Sequence, residues 1–333
     1  MAVTPQTNTT LDAIARELAS YESFCICGHV SPDGDCIGSQ LALAHALERL
    51  GKRVSCVLAH DEPLDQCIST LPGAHRIVPA CTFEGDFEVF VGVDVPTPDR
   101  MGDGARLHAQ AQRTVTIDHH AVPERMSDLS YTDPDAASTT VLVWEMIGHL
   151  GVDRSGAVAT CAYAGLMTDT GRFQFQNADA RAFAAAAEMV AAGADPATIA
   201  RDFYQNRRLA SVLLEGIAID HLRMLADGRA ALSWITRADR DACGAVKADA
   251  EPLVDVLRSL TGVRVACMLR EQEGEVRGSF RAKDDTDVAA IARELGGGGH
   301  RAAAGFTVEG DIDHAVSVVR ARLEALFAEE GRA

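Results

Sequence analysis

No apolar run in the 333-residue chain approaches the length of a membrane-spanning helix. The opening residues MAVTPQTNTT hold neither a basic segment nor an apolar core, so no signal peptide is expected. There is no C-x-x-C pair. The nine cysteines are scattered and odd in number, which suits a reducing cytoplasm better than a disulfide framework. Internal repeats and low-complexity tracts are missing too. Positive charge is scarce: 31 Lys and Arg stand against 48 Asp and Glu, a formal net charge of −17. That deficit argues against a long nucleic-acid footprint, which draws on many phosphate contacts. It leaves room for a short anion at one positive site, and bound metal can neutralise part of the acidity.

What is present reads as an ordinary globular protein. Hydrophobic residues make up 47% and charged residues 24%, and the length suffices for two domains. Residues 9–20 have a helical stripe of Leu11, Ile14, Ala15 and Leu18, with Thr9 or Thr10 at the cap. FCIC follows as a buried strand, with Cys25 and Cys27 facing the same side as small core residues. A helix is expected over 36–50, closed by Gly51. RVSCVLA, FEVFVGVDV (87–95, stopped by Pro96) and RTVTID (113–118) are further strands. Strands alternating with helices predict an α/β domain with a parallel sheet flanked by helices. Helices are expected next at 137–150, 155–168, 179–192 and, with breaks, 196–226. From 229 the strand pattern returns at RAALSWIT, VRVACMLREQ and EVRGSFRAK, the last two joined by QEGE as a hairpin. With helices at 287–295 and 312–330, this predicts a second, smaller α/β domain.

Four clusters carry chemistry. In CGHVSPDGDCIGSQ (27–40), His29, Asp33 and Asp35 crowd into seven positions between a strand and a helix. Asp94 ends a strand in VGVDVP; Asp118, His119 and His120 end another in TIDHH; Asp169 ends a helix in LMTDTGRF. One such Asp is usually a turn former or cap, and one such His a satisfied surface or core residue. Four element ends that all offer carboxylate or imidazole are not a capping pattern, and ligand sites of parallel sheets lie beyond the carboxyl ends of strands. The donor set suits Mn²⁺ or Mg²⁺, with Zn²⁺ disfavoured by the lack of thiolates. It is too large for one ion with an open position and suits two bridged ions, a recurrent solution for phosphoryl hydrolysis. Neighbours on an extended segment point to opposite sides, so His119 and His120 are expected to divide their roles. In GGGGHRAAAGF (296–306) consecutive glycines let backbone N–H groups form a nest for an anion, the bland alternative being a helix C-terminus. Arg207 and Arg208 are basic enough for a phosphate, but a solvated helix face explains them equally well.

In that order, H-x-x-x-D-x-D, a strand-end Asp, D-H-H and T-D-T-G resemble the DHH phosphoesterase superfamily. GSFRAK (278–283) and GGGGHRAAAGF resemble its DHHA1 domain, and the wording is most similar to the bifunctional nanoRNase (oligoribonuclease)/pAp phosphatase branch. The resemblance implies a DHH metal-binding catalytic domain over 1–190, a helical connector over 191–210 and a DHHA1 substrate-binding domain over 211–333, with the active site in the cleft between domains. It implies that His29, Asp33 and Asp94 hold one metal ion and Asp35, Asp94, His119 and Asp169 the other, Asp94 bridging. His120 would face the scissile phosphate as a catalytic residue, and Asp118 would orient the imidazoles. Ser279, Arg281, Gly298, Gly299 and His300 would bind the substrate. Cys36 and Ala282 depart from the commoner residues of the family and are not expected to touch a ligand.

The implied cofactors are two divalent ions, Mn²⁺ first and Mg²⁺ second. Hydrolysis would proceed by in-line attack of a metal-activated hydroxide. The implied partners are short RNA or DNA oligonucleotides, 3′-phosphoadenosine 5′-phosphate (pAp) or dinucleotides, with no long nucleic acid and no membrane; a homodimer is compatible with the sequence. Some members of the branch cleave cyclic dinucleotides or their linear products. An inorganic pyrophosphatase is disfavoured by the glycine run. A long-strand exonuclease is disfavoured by residues 211–333, which hold 16 Lys and Arg against 21 Asp and Glu. A non-catalytic nucleotide sensor on the same fold would have no need of an intact ligand set.

Overall fold

The computed structural model describes residues 6–121 and 124–330, apart from the side chains of His300, Glu329 and Glu330. The chain divides into two compact units, Met1–Asn206 and Arg207–Ala333.

The first unit is built on six strands: β1 (Ser23–Cys27), β2 (Arg53–Leu58), β3 (Val78–Pro79), β4 (Val89–Val93), β5 (Arg113–Asp118) and β6 (Leu129–Thr132). They are parallel throughout, in the order β3-β2-β1-β4-β5-β6. Its helices are α1 (Leu11–Ala19), α2 (Gly34–Arg49), α3 (Gly104–Gln110), α4 (Thr139–Leu150), α5 (Ala157–Asp169), α6 (Ala180–Ala191) and α7 (Pro196–Ala200). Strands β1 and β4 are buried at every position, as central parallel strands covered on both faces should be. Alternation sends Phe24 and Ile26 into the larger core, and Cys25 and Cys27 into the smaller core with Phe90. Thr10 caps α1 by accepting the Ala13 N–H, and the expected stripe of Leu11, Ile14, Ala15 and Leu18 is buried.

Two features of this unit position the site. The strand order runs outward in opposite directions from β1 and β4, so the topological switch point lies between them, where α/β sheets hold ligands. Helices α2 and α5 also cross almost backbone to backbone. A Cβ on Gly38 would lie 2.6 Å from the Cys161 carbonyl oxygen, and one on Gly165 would lie 3.1 Å from the Asp35 Cα. This contact brings the first turn of α2 against α5, whose last residue is Asp169.

The second unit has strands β7 (Arg223–Leu225), β8 (Ala230–Ile235), β9 (Val265–Glu271), β10 (Glu275–Ala282), β11 (Gly298–His300) and β12 (Ala303–Glu309). Their order is β11-β12-β10-β9-β8-β7, with only β8 and β9 parallel. Helices α11 (Val288–Glu294) and α12 (Ile312–Glu330) supply Val288, Val319, Leu323 and Phe327 to one core. Helices α8 (Leu209–Asp220) and α10 (Leu253–Arg258) supply Leu214, Leu253 and Leu257 to a second; α9 spans Arg237–Cys243. The β9–β10 hairpin forms as its QEGE turn predicts, with Gln272 N–H donating to the Glu275 carbonyl at 2.8 Å. The helical pattern expected over 196–226 resolves into α7, a π-helical turn at Arg201–Gln205, α8 and then strand β7. No helix among the described residues is long and apolar enough to cross a membrane.

Candidate metal centre

Asp94 stands at the middle of the site. It follows β4 with φ at +55°, a left-handed conformation that costs a non-glycine residue energy. Its N–H still donates to the Ile117 carbonyl at 3.1 Å, which ties the turn to β5. One carboxylate oxygen lies 3.3 Å from His29 Nε2. The other lies 3.5 Å from His119 Nε2 and 3.6 Å from His120 Nδ1, and accepts the Thr139 hydroxyl at 3.0 Å. Both sides of this carboxylate therefore face candidate ligands, and only 2% of the residue is exposed.

The remaining ligands gather around it in two groups. His29 Nε2 is 3.9 Å from Asp33 Oδ1, while His29 Nδ1 sits 2.7 Å from the Val30 carbonyl. A carbonyl can only accept, so Nδ1 carries a proton and Nε2 is the nitrogen offered to the centre. Asp33 caps α2 through the Cys36 N–H at 3.0 Å, and its side chain stays 57% exposed. On the other side, His119 Nε2 is 4.0 Å from Asp35 Oδ2 and 3.8 Å from Asp169 Oδ2, with Nδ1 against the Ala136 carbonyl at 3.2 Å. Asp35 is buried and accepts the Thr139 and Thr140 N–H groups at 2.7 and 2.8 Å, from the first turn of α4. Thr139 had no signal of its own in the sequence; the only hint was the Ser138 cap that starts α4.

The electrostatics match a cation site. Burial alone would lower the His29 pKa, but the Asp94 hydrogen bond and the charges of Asp33 and Asp94 raise it to about 10. Burial likewise opposes the His119 proton, and Asp169, Asp94 and Asp35 overcome it, again to about 10. Burial, then the charges of Asp94 and Asp169, push Asp35 well above the carboxylate range. Burial also raises Asp169 to about 7. Against its own burial, Asp94 is held below the usual range by the His29 hydrogen bond and charge. Buried carboxylates facing one another, with imidazole Nε2 atoms turned inward, form a donor set that divalent cations relieve. The residues present fit such ions.

His119 and His120 do not diverge to opposite sides as expected; their rings meet edge to face with centroids 4.7 Å apart. His120 Nδ1 lies 2.8 Å from Asp118 Oδ1, which also accepts the His119 N–H at 2.9 Å, so Asp118 holds both neighbours. Burial lowers the His120 pKa, but the Asp118 hydrogen bond and charge outweigh it, and the net shift is upward. Cys36 Sγ lies near this group, its sulfur and donor atoms of His29 and Asp94 being within 4.8 Å of one another.

The residues singled out in the second unit fall on adjacent strands. Arg281 on β10 pairs with Ala303 on β12, which pairs with His300 on β11; Ser279, Gly305 and Gly298 form the neighbouring row. Gly299 pairs with Ala304. The His300 side chain lies outside the described residues. The glycine run is not a nest. Gly296 leaves α11 with φ at +75°, and Gly298–His300 then form an edge strand. The Ser279 hydroxyl accepts from Arg270 Nη2. Arg207 and Arg208 take the structural reading, since they pair with Glu215 at 2.7 Å and Asp249 at 2.6 Å.

Fold and site together define a class: an enzyme that hydrolyses phosphoric esters. The chain belongs to the DHH phosphoesterase family. Residues 23–166 match the family model for the DHH family, N-terminal domain, and residues 242–325 match that for the DHHA1 domain. It is 32% identical over 318 residues to the bifunctional oligoribonuclease and PAP phosphatase NrnA of Thermus thermophilus, covering 92% of this chain and 90% of that protein. It is 25% identical over 299 residues to the protein of the same name from Bacillus subtilis, covering 89% and 92%. Among solved structures it is similar to an exopolyphosphatase-related protein from Bacteroides fragilis, with a TM-score of 0.87 at 26% identity over 96% of this chain and 95% of that one.

Proposed function

We propose that the protein cleaves very short oligonucleotides to nucleoside 5′-monophosphates and converts pAp to AMP. The observation that carries this reading is the Asp94 carboxylate, set between two ligand groups in the first unit. His29, Asp33 and Asp94 would hold one divalent ion, and Asp35, Asp94, His119 and Asp169 the other, Mn²⁺ being the best match to a carboxylate–imidazole set. When bound, such a pair supplies Lewis acidity at the phosphoryl group and activates water as the nucleophile.

The chain's own residues do the rest. Thr139 and Thr140 fix Asp35, and Thr139 fixes one oxygen of Asp94, so the carboxylates are aimed before any ligand arrives. Asp118 keeps the His120 Nδ1 proton in place and favours the charged ring, which lets Nε2–H donate to a phosphoryl oxygen as negative charge develops there. In the second unit Arg281 offers a two-pronged guanidinium, Ser279 a hydroxyl proton, and Gly298 and Gly299 backbone approach without side chains. The net charge of −17 supports short substrates, because a long strand would meet few further cations. The nine cysteines, all free, suit a cytoplasmic enzyme.

The test is a panel of labelled 2-, 5- and 24-mers, linear and cyclic dinucleotides, pAp and pyrophosphate, incubated with purified protein and Mn²⁺. The reading expects kcat/KM to fall with length beyond a few nucleotides. Equal efficiency on the 24-mer and the 2-mer would overturn it in favour of a processive exonuclease.

A further inference from the structure

A basic pocket lies on the second unit at the turn end of the β9–β10 hairpin. It is lined by Arg240, Lys247, Glu251, Arg270, Gln272 and Arg277. Four cations against one carboxylate is unusual in a chain this acidic. Arg270 and Arg277 stand directly opposite each other on β9 and β10, an arrangement that like charges disfavour. Glu251 offsets only one of them, pairing with Arg270 at 2.8 Å. The nearby Glu271 is occupied: its carboxylate accepts the Arg237 N–H at 2.9 Å and its carbonyl accepts Arg240 Nη2 at 2.6 Å. Lys247 and Arg277 are exposed and have no hydrogen-bond or ion-pair partner among the described residues. Arg240 Nε is buried without an acceptor, and a buried donor left unpaired asks for a missing partner.

We infer that this pocket is an anion subsite that takes a second phosphoryl group of the substrate, separate from the one held at Arg281. The inference rests on the reading of the second unit as the nucleotide-holding part. Arg277 and Arg281 are four residues apart on one face of β10, about 13 Å along the strand. Arg277 lines the pocket and Arg281 does not, its Nη1 donating instead to the Phe280 carbonyl at 3.0 Å, so the two arginines present their charges at separate points. Between them lies Ser279, whose hydroxyl is held by Arg270 from the pocket wall. The row Arg277, Ser279, Arg281 is thus a short cationic track rather than one clamp. A ligand with two phosphates, or a short strand, engages both ends.

The test uses full-length protein without divalent metal, so that binding is read apart from hydrolysis. A labelled RNA trinucleotide is titrated over a salt series with wild type and with the Lys247→Ala/Arg277→Ala double variant. Arg270 is left intact because its loss would strand Glu251 and Ser279. The double variant should bind at least tenfold more weakly, and its log–log salt slope should be shallower by about 0.7, the contribution of one neutralised single-strand phosphate. Titration of inorganic phosphate alone distinguishes a free anion from a nucleotide-borne one: wild type should take it up weakly, and the double variant should lose the uptake that Arg281 does not account for. Circular dichroism and Mn²⁺ content should match wild type, and Arg277→Lys should restore most of the binding. Unchanged affinity and slope in the double variant would overturn the subsite. If wild type cleaves no short oligonucleotide but the binding difference persists, the subsite stands and the proposed substrate falls.

Discussion

The Thr139 hydroxyl donates to Asp94 Oδ1 at 3.0 Å while its own N–H donates to Asp35 Oδ2 at 2.7 Å. One residue at the start of α4 thus aims two carboxylates belonging to different elements. Thr139→Val removes the hydroxyl bond and keeps the N–H bond. Loss of such a supporting contact costs about 10–100-fold in metal affinity. Calorimetry with Mn²⁺ should show that loss, Thr139→Ser should recover most of it, and the unfolding midpoint should move little. Full affinity in the Val variant would mean that Asp94 needs no aiming.

His120→Ala should keep its metal and lose turnover. Its Nδ1 is engaged by Asp118, so the ring contributes through Nε2. Removing one donor to a developing charge lowers rate by about 10²–10³. Metal content by mass spectrometry, measured beside kcat on a dinucleotide, separates this role from ligation. Depleted metal with proportional activity would reassign His120 as a ligand.

Metal loading should release protons. His29 and His119 have pKa values of about 10 in the metal-free fold, so both are charged at neutral pH and each must give up its Nε2 proton to bind a cation. Asp169, at about 7, joins them as pH falls below neutrality. Apparent Mn²⁺ affinity should therefore rise from pH 6 to pH 8. The sign for the metal-free fold is opposite: imidazole pKa values raised above the unfolded value add stability at low pH that is lost as pH climbs toward 10. Calorimetry in two buffers of different ionisation enthalpy counts the protons, and equal heats would exclude Nε2 as the donor atom.

Gly38→Ala should separate α2 from α5. The new Cβ would stand 2.6 Å from the Cys161 carbonyl oxygen, a backbone atom that cannot swing aside. Overpacking of this kind costs about 1–3 kcal/mol and should lower the urea midpoint without changing the slope. Mn²⁺ affinity should fall with it, because Asp35 and Asp169 lie on the two helices. Gly216→Ala is the control: its Cβ meets nothing within 4 Å on α8, and relief of helical glycine should add about 0.5–1 kcal/mol.

Local signals in the sequence were strong where one element decides the outcome. The span of β5, the buried stripe of α1 and the β9–β10 turn all follow from alternation, helical spacing and turn chemistry within a few residues. Strands β3, β6 and β11 are two to four residues long and carry too little pattern to announce themselves. Asp35 was readable as a ligand candidate, but its partners Thr139 and Thr140 lie 104 and 105 positions away, and only the fold joins them. The same holds for the basic pocket: Arg240, Lys247 and Arg277 come from separate segments, and neither the overall acidity nor any local run betrays them. The opposite-sides argument for His119 and His120 failed because the chain leaves β5 at Asp118, so strand alternation no longer governs the pair.

Every candidate metal ligand, from His29 to Asp169, belongs to the first unit. The centre is therefore encoded in full when the ribosome has made half the chain. At an elongation rate of about 5–20 residues per second, the 164 residues from 170 to 333 take roughly 10–30 s. Under the proposed function, the residues that would hold the metal ions are thus made before those that would grip a nucleotide.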